Sequence, residues 1–199
     1  MAALSYPRRQ RYQRLARGAR FGVLALGSLL LAAAAASAGL VTVALVLVLV
    51  GIPASLRTGH WMALARRSAI GARSEGLVRN QLRPLEREGW QIHHTLRWTG
   101  AGDVDHVAVA PHQVGLAFAV ETKTRTYTRH DVARIYEVAA WLVHRGAGWC
   151  RQGAIPILCL AGARGVERWE AGVNVVSVDR LVPLLRRLSG TTAKPGALR

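Results

Sequence analysis

Between Arg20 and Arg57 the chain has no charged residue, and the 36 intervening positions are almost all Ala, Leu, Val and Gly. That run is far past the roughly 18 apolar residues that mark a membrane span. As a single helix it would be about 54 Å long at roughly 1.5 Å per residue, against a hydrocarbon thickness of about 30 Å. Ser37, Ala38 and Gly39 sit at its middle. Cutting there leaves two halves, 21–37 and 40–56, of 17 residues each, near the lower limit of about 17 for a span. A transmembrane helical hairpin over 21–56 is the expectation, with one steeply tilted helix as the alternative.

Flanking charge gives an independent argument, because Lys and Arg near span ends stay on the cytoplasmic side. Arg8, Arg9, Arg11, Arg14, Arg17 and Arg20 precede the run, and Arg57, Arg66, Arg67 and Arg73 follow it. Both flanks belong inside, which only an even number of spans allows. The expected protein is multi-pass in the cell membrane, with a basic cytoplasmic segment 1–20 and a cytoplasmic soluble domain. The start also resembles a cleavable leader, with Ala36-Ser37-Ala38 as the cleavage site. Cleavage there would leave a second long apolar run ending at Pro53, which argues against removal.

The chain holds 27 basic against 11 acidic residues for a net charge of +16, and 25 of the basic ones are Arg. Removing the six arginines of residues 1–20 still leaves +10 on the remainder. Such a balance suits a polyanion or an anionic membrane face, and Arg is the better fork for phosphate. With 51% hydrophobic residues in 199, a disordered polymer and a disulfide-stapled miniprotein are excluded. Cys150 and Cys159 have no CxxC or zinc-ligand spacing, so no thiolate metal site is indicated.

After a linker helix over 57–69, Ile70, Leu77, Val78, Leu82 and Leu85 form an amphipathic helical stripe that Pro84 and Gly89 close. Trp90–Trp98 reads as a strand and Thr99–Gly102 as a turn. Val104–Ala110 and Leu116–Thr124 read as two further strands joined by a turn at Pro111–Gly115. Val132, Ile135, Tyr136, Ala139 and Val143 mark a helix ending at Gly146. Ile155–Leu160 and Val173–Val178 read as buried strands. Asp179 is expected to cap a last helix, with Pro183 in its first turn. The order α-β-β-β-α-β-β-α describes an α/β domain over 70–189, a mixed sheet flanked by helices, with a flexible tail at 190–199.

Polar residues inside apolar strands are the informative exceptions. Alternation puts Glu121 and Lys123 on one face with Ala117 and Ala119, and Phe118, Val120 and Thr122 on the other. Asp105 lies eight residues before the turn centre at Gln113 and Glu121 eight after it, so antiparallel pairing sets the two carboxylates opposite each other. Carboxylates that close repel unless a cation lies between them, and Mg²⁺ takes one or two carboxylates plus water and phosphate oxygens. A lysine two residues along can orient or help deprotonate a metal-bound water and stabilise charge developing on a phosphorane-like transition state. The competing reading is a structural Glu121–Lys123 salt bridge, which an isolated E-x-K would ordinarily be.

Gly71-Ala72-Arg73-Ser74-Glu75, Gly102-Asp103-Val104-Asp105-His106-Val107-Ala108-Val109 and Val120-Glu121-Thr122-Lys123-Thr124 together resemble the nuclease-related domain, NERD, of the PD-(D/E)xK restriction-endonuclease-like superfamily. The resemblance implies a Mg²⁺-dependent phosphodiesterase fold, with another divalent ion such as Mn²⁺ as a substitute. Asp105 and Glu121 are then metal ligands, Lys123 the catalytic lysine and Glu75 a helix-borne acid beside the site. This chain departs from the family in having Ser74 where Gly is usual, and in lacking a clear match to a polar Gln within Val132–Val143.

Arg125, Arg129 and His130 are candidate phosphate contacts, against a solvated loop. His106 points away from Asp105 and reads as a packing or hydrogen-bonding histidine. His93 and His94 read as strand residues, and Trp61 suits a membrane interface. The leading expectation is a membrane-anchored nuclease acting on DNA or RNA. A non-catalytic membrane-tethered nucleic-acid-binding module and a membrane scaffold on anionic lipid are its rivals.

Overall fold

A computed structural model describes residues 6–98, 103–111, 115–144 and 148–190, with side chains from residue 10 onward. The expected turn at Thr99–Gly102, the turn centre at Gln113, the helix end at Gly146 and most of the expected tail lie outside the described residues. The chain divides into two compact units, Met1–Ala72 and Arg73–Arg199.

In the first unit α1 (Tyr6–Ser37) and α2 (Val41–Arg87) turn back on each other at Ala38-Gly39-Leu40, where Gly39 takes φ +76°. Both helices are long and apolar enough to cross a membrane. A β-carbon at Gly22 would sit 3.7 Å from Thr58 Cγ2, one at Gly51 3.1 Å from the Leu29 side chain, and one at Gly18 3.4 Å from Met62 Sδ. Arg14 Nη1 donates to Ser68 Oγ at 2.6 Å and to the Leu64 carbonyl at 3.1 Å. These contacts are one antiparallel register. Its seam repeats every seven residues: Gly18, Ala25 and Ala32 on α1, and Ala44, Gly51, Thr58 and Ala65 on α2. Small residues there let the backbones approach closely. Val23, Leu30, Leu45, Leu49 and Leu56 instead point outward, each more than half exposed. At the charged ends Arg17 lies over the Trp61 ring at 5.0 Å and Arg57 over Phe21 at 5.8 Å.

The pairing can be tested directly. Replacing Gly22→Cys and Thr58→Cys together should give an intramolecular disulfide on mild oxidation in membranes, since a β-carbon at Gly22 would lie 3.7 Å from Thr58 Cγ2, which brings the two side chains into contact. Electrophoretic mobility reversed by reductant reads it; a single tilted helix would keep the two positions far apart and uncrosslinked.

In the second unit a six-stranded sheet has the order β1-β2-β3-β4-β6-β5, with β1 Gln91–Arg97, β2 Asp103–Val109, β3 Leu116–Lys123, β4 Gly153–Leu160, β5 Glu167–Glu170 and β6 Val173–Ser177. The first three strands are antiparallel, β3-β4 and β4-β6 run parallel, and β5 returns antiparallel on the edge. The expected α/β architecture, a mixed sheet flanked by helices, is what forms. One face buries Phe118, Val120, Ile157 and Val176 under the end of α2 (Val78, Leu82, Leu85) and α4 (Val178–Leu188). The other buries Val107, Ala117, Ala119 and Leu158 under α3 (Arg129–His144) through Val132, Ile135, Val138 and Leu142.

Four local expectations are corrected. β5 was not anticipated, because Glu167-Arg168-Trp169-Glu170 is a polar edge strand with no apolar alternation to read. Pro84 does not close α2, which runs on to Arg87; its missing N–H costs one bond near the end, and the helix stops at Gly89 with φ +86°. The last helix starts at Val178 behind Ser177, so Asp179 is not its cap and accepts the Gly165 N–H instead at 3.2 Å. Pro183 consequently falls inside α4 rather than in its first turn.

His106 is buried on the α2 face, where its Nδ1 shares a 2.8 Å hydrogen bond with His94 Nδ1. Burial, helped by His94 and Arg79, pushes it down to about 3, so it is neutral at physiological pH. Cys159 is fully buried, and burial followed by the charges of Asp179 and Asp105 pushes its thiol up to about 12. The unfolded thiol ionises first, so the stability held by the neutral thiol is intact below pH 9 and declines as pH rises toward 12. The slope is roughly 1.4 kcal/mol per pH unit. Denaturant midpoints between pH 8.5 and 11 should fall more steeply in the native chain than in Cys159→Ala; parallel curves would refute this.

Candidate active site

β2 and β3 pair with His106 opposite Val120 and Val107 opposite Ala119. The same register sets Asp105 opposite Glu121, beyond the last of the paired apolar residues. Asp105 Oδ2 accepts the Thr122 backbone N–H at 2.7 Å, which fixes the carboxylate against the neighbouring strand. Burial raises the Asp105 pKa well above the ordinary carboxylate range, and the charges of Glu121 and Glu75 push the same way. The Thr122 N–H and Lys123 oppose them without cancelling them. Glu75, on α2, is thus within electrostatic reach of this pair.

Glu121 is buried, and its two oxygens are in different situations. Oε1 takes Lys123 Nζ at 3.2 Å and Arg134 Nη1 at 2.6 Å. Among the described residues, Oε2 is buried with no hydrogen-bond partner. An unpaired carboxylate oxygen in a protein interior is costly, about 1–3 kcal/mol or more, and a cation would remove that cost. Lys123 Nζ also meets Asp131 Oδ1 at 2.7 Å. Burial lowers the lysine pKa, but the hydrogen bond to Asp131 and the charge of Glu121 outweigh it and hold it above the usual value. Lys123 is therefore held as a cation between these two carboxylates.

Two residues of α3 in this cluster escaped the sequence reading. Asp131 caps the helix with Thr128: its Oδ2 accepts from Thr128 N and Oγ1, both at 2.8 Å. Arg134 reaches Glu121 and also donates from Nη2 to the Asp103 carbonyl at 3.1 Å, with its guanidinium 5.9 Å from the Trp98 ring centre. The available signal was their spacing: Asp131 and Arg134 border the Ile135, Val138 and Leu142 stripe that packs on the sheet, so they face the strand ends. Ser74, the departure from the usual Gly, has a structural use. It is buried, and its Oγ lies 3.1 Å from Thr124 Oγ1, tying α2 to the end of β3.

The geometry thus brings Asp105, Glu121 and Lys123 together, with Glu75 nearby. Arg125 and Arg129 line a cleft next to Lys123, whereas His130 is exposed and not among the residues lining that cleft. Among the described residues, no three His, Cys, Asp or Glu side chains group closely enough to hold a metal ion. The donor set that does exist, two opposed carboxylates with one unpaired oxygen, fits a hard ion that keeps several waters, as Mg²⁺ does.

Residues 70–149 match the family model of the nuclease-related domain. The chain carries a nuclease-related domain. The match runs from α2 through η1 (Gly148–Cys150) and includes every residue of the carboxylate and lysine cluster. The mixed sheet flanked by helices suits a restriction-endonuclease-like fold. No curated protein and no solved structure matches the chain. Nuclease-related domains point to nucleic acid as the substrate, and nuclease-like domains commonly use divalent metal ions.

Proposed function

We propose that this protein is a membrane-anchored nuclease that hydrolyses phosphodiester bonds in a divalent-metal-dependent reaction at Asp105, Glu121 and Lys123. The observation that supports it most is the opposed Asp105 and Glu121 pair with an unpaired, buried Glu121 Oε2 and the ammonium of Lys123 alongside. Asp105 and Glu121 would hold Mg²⁺ or Mn²⁺, which supplies Lewis-acid polarisation of phosphate oxygens and acidifies water. Lys123 presents a fixed positive charge toward the reacting phosphate, where charge develops in the transition state. Arg134 and Lys123 occupy Oε1, so Oε2 is the Glu121 oxygen that would be open to the ion. Glu75 adds negative charge that favours the cation, and Arg125, Arg129 and the neighbouring His130 contact phosphates of the bound strand.

In this reading α1 and α2 cross the membrane as a hairpin over 21–56 and hold the nuclease-related domain on the cytoplasmic side, where both arginine-rich flanks belong. The outward-facing leucines and valines then meet lipid rather than water.

One observation favours a non-catalytic nucleic-acid-binding module: Glu121 already has two cationic partners in Lys123 and Arg134. The two readings separate in one assay. The detergent-solubilised chain should nick DNA or RNA with Mg²⁺ and fail with EDTA. Salt-sensitive binding with no cleavage across Mg²⁺, Mn²⁺ and Ca²⁺ would establish the binding module, and vesicle binding without nucleic-acid binding would establish a lipid scaffold.

A further inference from the structure

Beside the candidate active site, outside the carboxyl ends of β3 and β4, lies a cleft of about 760 Å³. That volume is within the roughly 300–1,000 Å³ typical of sites for small organic ligands. Its composition is divided. Arg125, Arg129 and Arg168 stand exposed around it, while Leu160, Ala163 and Val166, buried or half-buried, also line it. Among the described residues that line it Glu170 is the one acid, and it is engaged by the Tyr127 hydroxyl at 2.5 Å. The 16-residue helix α3 also begins here, behind the Thr128–Asp131 cap, so its positive dipole end adds to the guanidinium charge.

The cleft joins the candidate active site through the backbone. Lys123 is followed directly by the loop Thr124–Thr128, and that loop is held to the end of β4 by Ala161 N to Lys123 O at 2.8 Å and Gly162 N to Thr124 O at 2.5 Å. A β-carbon at Gly162 would lie 2.7 Å from the Thr124 carbonyl oxygen, so the close approach depends on glycine. The strand leaving Lys123 therefore enters the wall of the cleft within two residues.

We infer that this cleft receives one unpaired nucleotide of the substrate next to the cleaved phosphate, with its base over Leu160, Ala163 and Val166 and its phosphates toward Arg125, Arg129 and Arg168. The inference rests on the nuclease reading and narrows its substrate to strands with single-stranded character. A phosphate alone would use the arginines and leave the apolar patch unexplained. A duplex would meet the arginines too, but its bases are paired inside and cannot reach that patch. Only a splayed base uses both halves. Tyr127 adds a half-buried aromatic wall, stiffened by Arg168, whose guanidinium lies 5.3 Å from the ring centre and bonds the Tyr127 hydroxyl.

The test is fluorescence anisotropy on the full chain in detergent with EDTA, so that no cleavage occurs, using an internally labelled 12-nucleotide oligothymidylate and a hairpin duplex of equal phosphate count. The single strand should bind about tenfold more tightly than the duplex. Val166→Trp, which fills the cleft without changing charge, should weaken the single strand by about tenfold and the duplex by less than about twofold. Arg168→Glu, at a side chain 56% exposed, serves as the second variant if Val166→Trp no longer melts cooperatively, and should weaken the single strand by at least as much. Equal binding of both probes, no binding of either, or single-strand affinity unchanged in the folded variants would overturn the inference. Adding Mg²⁺ afterwards separates the two readings. A retained single-strand preference with no cleavage leaves the cleft standing and defeats the nuclease reading. Cleavage of duplex and single strand alike, unaffected by either variant, does the reverse.

Discussion

Lys123→Ala should lower Mg²⁺-dependent cleavage by at least about 10²- to 10³-fold, the loss typical when one preorganised group that stabilises developing charge is removed. Lys123 has two carboxylate partners, at 2.7 and 3.2 Å, and its side chain is 25% exposed. Its removal leaves Glu121 Oε1 on Arg134 at 2.6 Å and Asp131 on the Thr128 N–H and hydroxyl, so neither carboxylate is stranded and the thermal midpoint should move little. A large activity loss with a small stability loss is therefore the expected signature. Lys123→Arg should fail as well, because a planar guanidinium cannot occupy the position of a compact ammonium between Asp131 and Glu121. Nucleic-acid binding without metal should persist in both variants. The assay is initial-rate nicking alongside a thermal melt. Equal losses in both, or full activity in Lys123→Ala, would reduce the lysine to a structural counter-ion.

Phe118→Ala should destabilise the nuclease-related domain by about 3–5 kcal/mol, the range for truncating a buried aromatic side chain. Phe118 is fully buried on the α2 and α4 face of β3, with its ring 5.7 Å from that of Trp90. Its neighbours Leu82, Leu85, Ile157 and Leu185 are held by two helices and a strand, so the vacated volume has little freedom to collapse. A midpoint lower by roughly 10–20 °C is expected. Trp169→Ala is the control: the ring is 66% exposed on edge strand β5, and its loss should stay within about 0.5 kcal/mol. A Phe118→Ala change of similar size to the control would mean that the core relaxes around the loss.

What the amino-acid order reveals divides along physical lines. The Asp105–Glu121 register was readable because a strand alternates with a fixed period and only four residues separate Ala110 from Gly115, so counting outward from Gln113 suffices. The break at Ser37–Gly39 was readable because bilayer thickness limits helix length. β5 was not, since an edge strand needs neither apolar alternation nor β-branched residues when its partner β6 supplies the pairing. Arg134 was not, because an arginine on a helix is ordinarily solvated, and only the tertiary placement of α3 turns it onto Glu121. The seven-residue seam of α1 and α2 was hidden for another reason: its residues are Gly, Ala and Thr, and a hydropathy reading does not distinguish them from the leucines that surround them.

Asp131 has a consequence for how the lysine is released. Its two oxygens serve different masters: Oδ2 is held by the backbone N–H and hydroxyl of Thr128, while Oδ1 alone meets Lys123. If an incoming phosphate drew the ammonium away in the proposed reaction, the Asp131 carboxylate would keep its two hydrogen bonds and its place at the positive end of α3. Glu121 Oε1 would likewise keep Arg134 at 2.6 Å, so the resting contacts of Lys123 would set no trap against the proposed turnover.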